Sequence, residues 1–474
     1  MRSSYRLTNA LLLSLLCPTV VACSDSGTTE DRGPVLEDSL EIYSWWTGSG
    51  EAEALQALID VYSEKHPGVQ VTNAAALDST NARTELADRL EAGEPPDSFQ
   101  AISGVDLLAH VNDSQMEPIT DLAERNGWLD VFPAAVLDTL RVADELYAVP
   151  VNIERDNNLY FNKAVLSDHG IDAPQTLDEF YAMCETLQTA DPPVDPLALP
   201  PAGWVLALVA FETLMPGVNG GDYYLRFFEG NAQLAEGSPD RTELEELFTE
   251  FYKVAQCSNI DKGTATDPSY PRWDLHGDKV FDGDAASIVM GDWMKGYLEG
   301  GKTWEGDSRS AWVANDEFGV VPGLGSAGHF TFNSAVFGLP KGAPHPNAAG
   351  AFLEIVTSEA GQVAFNPLKG SVPARTDVGL GDFDDMVRTA AEDFQAAGAE
   401  EGKLLPGYAS LTTLEFQLAI NPALVVFAVG GSKAATMLNT PDAEVVTSAE
   451  EDVAAGDVDY IVQKIVANYE RINL

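Results

Sequence analysis

In Ser39-Leu40-Glu41-Ile42-Tyr43-Ser44-Trp45-Trp46 apolar and aromatic side chains run long enough for a short buried strand, and Gly48 and Gly50 then turn the chain. The next segment sets Leu55, Leu58, Ile59 and Tyr62 at helical spacing and stops at Lys65-His66-Pro67-Gly68. Val69 to Val71 reads as a second strand. Parallel neighbours need a long crossover, so strand, helix and strand in this order form the unit of a parallel sheet covered by helices. The order repeats: a helix around Leu86 and Leu90 leads through Glu94-Pro95-Pro96-Asp97 into the strand Ser98-Phe99-Gln100-Ala101-Ile102. The expected class is α/β. Ligands of such sheets sit beyond the carboxyl ends of the strands, which puts Trp45, Trp46 and Gln100 to Ser103 where a ligand would be met.

Farther along, Leu146 to Asn152 is extended, and Thr176-Leu177-Asp178-Glu179 fits a capping box that opens a helix running through Cys184. Asp191 to Pro201 is Pro-rich and reads as a loop, and Leu244 to Val254 as an amphipathic helix. Asp284 to Met290 leads to Gly291-Asp292-Trp293; Phe318 to Pro322 and Val336 to Gly342 read as strands, before a helix that begins near Asn347. At 474 residues, a single core normally divides, so at least two lobes are expected.

The charge is lopsided, with 27 Lys plus Arg against 74 Asp plus Glu, a formal net charge of -47. That excess argues against nucleic acid or an anionic membrane surface as partner. The acidic residues are scattered, which fits a solvated shell better than one site for cationic ligands. Six isolated histidines and the lack of Cys-x-x-Cys give no metal pattern, and no metal or cofactor is expected. Gly323-Leu324-Gly325-Ser326-Ala327-Gly328 has the spacing of a dinucleotide fingerprint, but Phe330-Thr331-Phe332-Asn333 lacks helical periodicity, so no helix N-terminus follows to hold a pyrophosphate.

The chain starts with Arg2 and Arg6, continues with an apolar run from Leu11 to Ala22 and reaches Cys23. This run falls short of the roughly 20 residues that span a bilayer and reads as a secretory signal peptide over residues 1–22. Val20-Val21-Ala22-Cys23 resembles the lipobox of bacterial and archaeal lipoproteins, which implies a lipidated Cys23 at the start of the mature chain. Residues 23–38, rich in small and polar side chains, are expected to tether the body to the membrane. Of four cysteines, Cys184 and Cys257 remain in the body, either as a disulfide or as two independent thiols.

Several stretches resemble the extracellular sugar-binding proteins of ABC importers, and within them the glucose- and mannose-binding lipoproteins. They are Tyr43 to Gly48, Tyr147 to Arg155, Gln175 to Phe180, Val289 to Trp293, Phe337 to Gly342 and Phe365-Asn366-Pro367-Leu368-Lys369-Gly370-Ser371. The resemblance implies a two-lobed periplasmic-binding-protein-like fold of type II, joined by three crossings near Val149, Val321 and Leu368, with the ligand cleft between. The N-terminal lobe is then expected over 39–148 and 322–368, the C-terminal lobe over 149–321 and 369–474. It also implies a Cys184–Cys257 disulfide, because members of the subgroup carry cysteines there, and a monomer outside the cytoplasm, in the periplasm or at the cell surface. Such a monomer would hand a sugar to ABC permease subunits.

A pyranose presents two apolar C–H faces and a belt of hydroxyls, so its site needs flat aromatic surfaces and planar polar groups. Trp45, Trp46 and Trp293 are the expected faces. Core packing is the alternative for any one Trp, but two adjacent at a strand end are hard to bury together. Glu51, Asn333 and Lys369 are the expected belt, with Gln100 and Glu154, and Trp204 is a weaker aromatic candidate. Lys369 lies in a Gly-bounded segment from which a donor could reach both lobes. Members of the glucose-type group tend to have an acidic residue in place of Asn333 and a His within the stretch matching Leu404 to Gly407, so the sugar here can differ from glucose. The rival readings are a secreted glycosidase, which would need two facing carboxylates such as Glu51 and Glu154, and a subunit that presents sugar to a receptor.

Overall fold

The computed structural model describes residues 35–74, 79–260, 272–301, 310–432, 434, 450 and 452–472. The signal peptide and Cys23 lie outside the described residues, as does all of the tether before Val35.

Fourteen strands are described: β1 Ser39–Tyr43, β2 Gln70–Asn73, β3 Ser98–Ile102, β4 Arg141–Val142, β5 Glu145–Leu146, β6 Ala148–Pro150, β7 Asn152–Arg155, β8 Asn158–Asn162, β9 Ser287–Val289, β10 Phe318–Pro322, β11 Phe330–Asn333, β12 Ala335–Gly338, β13 Val372–Pro373 and β14 Leu404–Pro406. β1 pairs in parallel with β2 and β3, and β12 joins β3 and β6 in antiparallel fashion, giving the order β2-β1-β3-β12-β6. A second sheet runs β10-β8-β9 and a third β13-β7-β11-β14. The α/β class holds.

The helix Glu51–Lys65 buries one stripe, Ala54, Leu55, Leu58, Ile59 and Tyr62, and packs on the helix Glu359–Lys369. The expected capping box forms: Thr176 Oγ1 accepts from Glu179 N at 3.2 Å, and Glu179 Oε2 accepts from Thr176 N at 3.1 Å. Cys184, on the helix Leu177–Gln188, is bonded to Cys257 at the end of the helix Pro239–Gln256, with 5.5 Å between their Cα atoms.

Apolar side chains collect in two cores. One takes Leu40 to Ile153 and Phe330 to Ala397; the other takes Leu159 to Leu324 and Leu405 to Ile472, with Met386. The chain changes core between Ile153 and Leu159, between Leu324 and Phe330, and between Ala397 and Leu405. All three changes adjoin the third sheet. Met386 apart, the buried apolar residues from Val372 to Ala397 pack with the first core, and the stretch around Leu368, expected as a crossing, forms the last turn of the helix Glu359–Lys369 with no change of core beside it.

Candidate functional site

Lys369 ends that helix with 1% of its surface exposed. Its Nζ donates to Glu51 Oε1 at 2.9 Å and lies 2.5 Å from Glu154 Oε1. Glu51 is the first residue of its helix and Glu154 sits in β7, so one ammonium draws together three elements. Burial works against the charge on Lys369, but Glu154 and Glu51 outweigh it and hold its pKa above the ordinary lysine value. Burial also raises the Glu51 carboxyl, with Lys369 pulling the other way. Such a cluster persists because each charge has a partner; a lone one at this depth would cost several kcal/mol.

Two indoles flank the ammonium, with Nζ 5.2 Å from the centre of the Trp293 ring and 5.8 Å from that of Trp46. Trp293 opens the helix Trp293–Glu299, and its ring folds back on Gly291, where a Cβ would stand 2.1 Å from the ring. Only glycine fits beneath that indole. Trp204, the weaker candidate, is 38% exposed and stands 6.4 Å from Trp293 between ring centres.

Trp46 departs from expectation. It is 2% exposed, with its ring against Phe365 at 4.9 Å and Phe337 at 5.8 Å, so it has no open face to offer a ligand. The strand stops at Tyr43, and past that point the strict alternation that would have forced one indole outward no longer applies. Trp45 stays half-buried, its backbone N–H donating to Gln100 Oε1 at 3.3 Å and its ring 5.8 Å from the Arg83 guanidinium. Gln100, 2% exposed, thereby shapes the turn after β1.

Asn333 ends β11 directly across from Glu154 in β7. Its Nδ2 donates to Asp156 Oδ2 at 2.5 Å, and its Oδ1 accepts from Ser410 Oγ at 2.8 Å. The structure therefore brings Glu51, Glu154, Trp46, Trp293 and Lys369 into one cluster, sets Asn333 beside it, and joins Trp45 to Gln100.

Sequence reasoning missed Asp156, Glu212 and Ser410, all buried around Asn333. Glu212 had a signal, as the lone carboxylate in the apolar run Leu206 to Leu214. That run winds as a π-helix over Leu208–Leu214, a wide turn that often marks functional positions. The two cores also touch directly: a Cβ on Gly104 would stand 2.2 Å from Ser410 O, and Ser103 Oγ lies 3.5 Å from Ser410 Oγ. One cavity, lined by Arg155, Asn158, Asp292, Lys295, Gly370 and Asp393, borders the cluster through the chain neighbours of Glu154, Trp293 and Lys369, and another lies beside Cys184 and Cys257.

Two α/β lobes, with a polar and aromatic cluster drawn from elements of both cores, are the architecture of a solute-binding protein. The sequence model of the bacterial extracellular solute-binding proteins matches residues 48–363, and the chain belongs to that family. An ABC transporter extracellular-binding protein of Pyrococcus horikoshii is 30% identical over 410 residues, 86% of this chain and 87% of that one. A probable sugar-binding periplasmic protein of Mesorhizobium japonicum is 30% identical over 375 residues, covering 78% and 84%. The xylose/arabinose-binding protein XacG of Haloferax volcanii is 27% identical over 382 residues, covering 80% and 78%. Among solved structures, a chitin oligosaccharide binding protein superposes with TM-score 0.68 at 18% identity, over 92% of this chain and 98% of that one. The solute receptor AcbH gives 0.67 at 16% identity, over 86% and 97%. At these identities the structures speak for the two-lobed fold alone. Family membership makes the protein an extracytoplasmic solute-binding protein.

Proposed function

We propose that the protein captures a neutral sugar between its lobes outside the cytoplasmic membrane and delivers it to the permease of an ABC importer. The observation that carries this reading is the buried Lys369, bound to Glu51 and Glu154 beneath the Trp293 indole and beside Asn333. Charged hydrogen-bonding groups packed against an aromatic face suit hydroxyls around a C–H face. In this reading Trp293 and Trp45 stack on the ring, Glu51, Lys369 and Asn333 meet its hydroxyls, and Glu154, Gln100 and Trp46 hold them in place. The sugar-binding names of relatives in Mesorhizobium and Haloferax support the ligand class. Glucose, mannose, xylose and arabinose are the first sugars to test.

The two cores motivate lobes that meet at the third sheet, with the last passage after Ala397. Anchorage through a lipidated Cys23 belongs to the same proposal. A glycosidase needs one carboxyl free to give a proton and the other free to act on the sugar. Here one ammonium engages both Glu51 and Glu154, which favours binding over hydrolysis. Titrating each sugar into the protein while following tryptophan emission tests the reading. A saturable change that is lost in Trp293→Ala supports it; oligosaccharides returned cleaved would support the hydrolase instead.

A further inference from the structure

Beneath Asn333 two carboxyls are buried together, and the proposed sugar site does not account for them. Asp156, between β7 and β8, is fully buried; Glu212, on the π-helical turn of the second core, is 3% exposed. Their four oxygens can be followed one at a time. Asp156 Oδ2 accepts from Asn333 Nδ2 at 2.5 Å, and Glu212 Oε1 accepts from Tyr408 N at 2.6 Å. Asp156 Oδ1 and Glu212 Oε2 are buried with no donor among the described residues, and the two carboxyls interact closely enough that a hydrogen bond between them is open. Two carboxylates cannot make that bond, since neither carries a hydrogen. One proton between them satisfies both orphaned oxygens and removes one of two adjacent buried charges.

We propose that Asp156 and Glu212 share one proton, and that this proton, by holding Asp156 in place as acceptor for Asn333, fixes the orientation of the Asn333 amide and couples solute capture to external pH. Asp156 and Glu212 are positioning residues that act through Asn333. The inference about capture rests on the proposed sugar site; the shared proton itself does not.

The sequence departure at Asn333 fits. An acidic side chain there would set a third carboxyl against the pair, whereas an amide gives Asp156 a donor. The other titratable groups around the pair are Glu154 and Asp292, which disfavour a second negative charge on it, and the Tyr224 and Tyr408 hydroxyls. The nearby cations are engaged elsewhere, Arg155 with Asp393 and Lys369 with Glu51 and Glu154. When the pair loses its proton to solvent it gains one negative charge, which neither Arg155 nor Lys369 is free to meet. Burial raises both carboxyls, so the folded protein keeps the proton to higher pH than the unfolded chain. The stabilisation is complete below the ordinary carboxylate range and is lost as pH rises through the pair's upper folded pKa.

Glu212→Gln and Asp156→Asn each replace the shared proton with a permanent N–H and retain the acceptor for the backbone or for Asn333. Infrared difference spectra of the ligand-free protein at neutral pH should contain a protonated-carboxyl band absent from either variant. The thermal midpoint of the parent should fall with rising alkalinity more than those of the variants. Asp292, raised to about 7 by burial, titrates nearby in all three proteins, so the comparison of parent with variants, not the parent profile alone, carries the test. Calorimetry with D-glucose and D-xylose across about pH 6 to 9 should show affinity falling by up to about tenfold per pH unit in the parent and much less in Glu212→Gln. Identical infrared bands in parent and variants would overturn the shared proton. If a sugar binds, equal pH profiles would overturn the coupling. If neither sugar binds, the proposed sugar site falls, and the infrared band still decides the proton.

Discussion

At the scale of residues the account separates stacking from packing. Trp293→Ala should weaken sugar affinity by about 1 to 3 kcal/mol, roughly 5- to 150-fold, with little change in fold, because a contact face is lost. Trp46→Ala should do the reverse, costing about 3 to 5 kcal/mol of stability by opening a cavity between Phe337 and Phe365, as read by denaturant unfolding. Lys369→Met leaves Glu51 and Glu154 buried without their cation, for a loss of about 3 to 5 kcal/mol. That loss carries a sign. With the ammonium gone, the already raised Glu51 pKa climbs further, so the variant should regain stability as pH falls and lose it as pH rises through the folded value. A pH-independent deficit would mean that Lys369 contributes packing alone. Much of this cluster was legible in the sequence, because Trp, Lys and Glu beside glycine are unusual in a buried segment. Asp156 was not, since nothing local distinguishes one aspartate among 74 acidic residues until the fold sets it under Asn333.

At the scale of elements, the segments that matched expectation carry their own signals: Pro95 and Pro96 ahead of the strand Ser98–Ile102, and Thr176 with Glu179 at the head of a helix. Leu146 to Asn152 was readable as extended but not as pieces of β5, β6 and β7, which pair with four different strands. Register of that kind is set by the neighbouring strands, not by the segment itself. The helix Glu359–Lys369 runs through Pro367, a residue that argues locally for a break; tertiary packing against the helix Glu51–Lys65 overrides it. The Cys184–Cys257 bond closes a loop of 73 residues, for which chain entropy gives about 4 kcal/mol. Reducing it should lower the unfolding midpoint of the second lobe, and an unchanged midpoint under reductant would show that the helices hold without it. The contact of Gly104 with Ser410 should tolerate no side chain: Gly104→Ala is expected to weaken ligand affinity several-fold by keeping the lobes apart.

At the scale of the whole molecule, a formal charge of -47 makes self-repulsion a term in stability. Raising salt towards 1 M, where the Debye length is about 3 Å, should raise the thermal midpoint; a flat response would mean the carboxylates are paired or spaced well enough not to repel. Two lobes could be foreseen from length and from repeated strand-helix-strand order. Where the chain last changes core could not, because Val372 to Ala397 reads equally well in either core until side chains choose partners. The central claim is that a neutral sugar closes the two lobes over Trp293, Lys369 and Asn333. Calorimetry of the full mature protein against glucose, mannose, xylose and arabinose tests it most directly: at least one should bind saturably at one site per chain, with affinity reduced in both Trp293→Ala and Asn333→Ala. If none of the four, nor any oligosaccharide built from them, gives measurable heat or stabilises the fold, the cluster around Lys369 is structural and the claim is wrong.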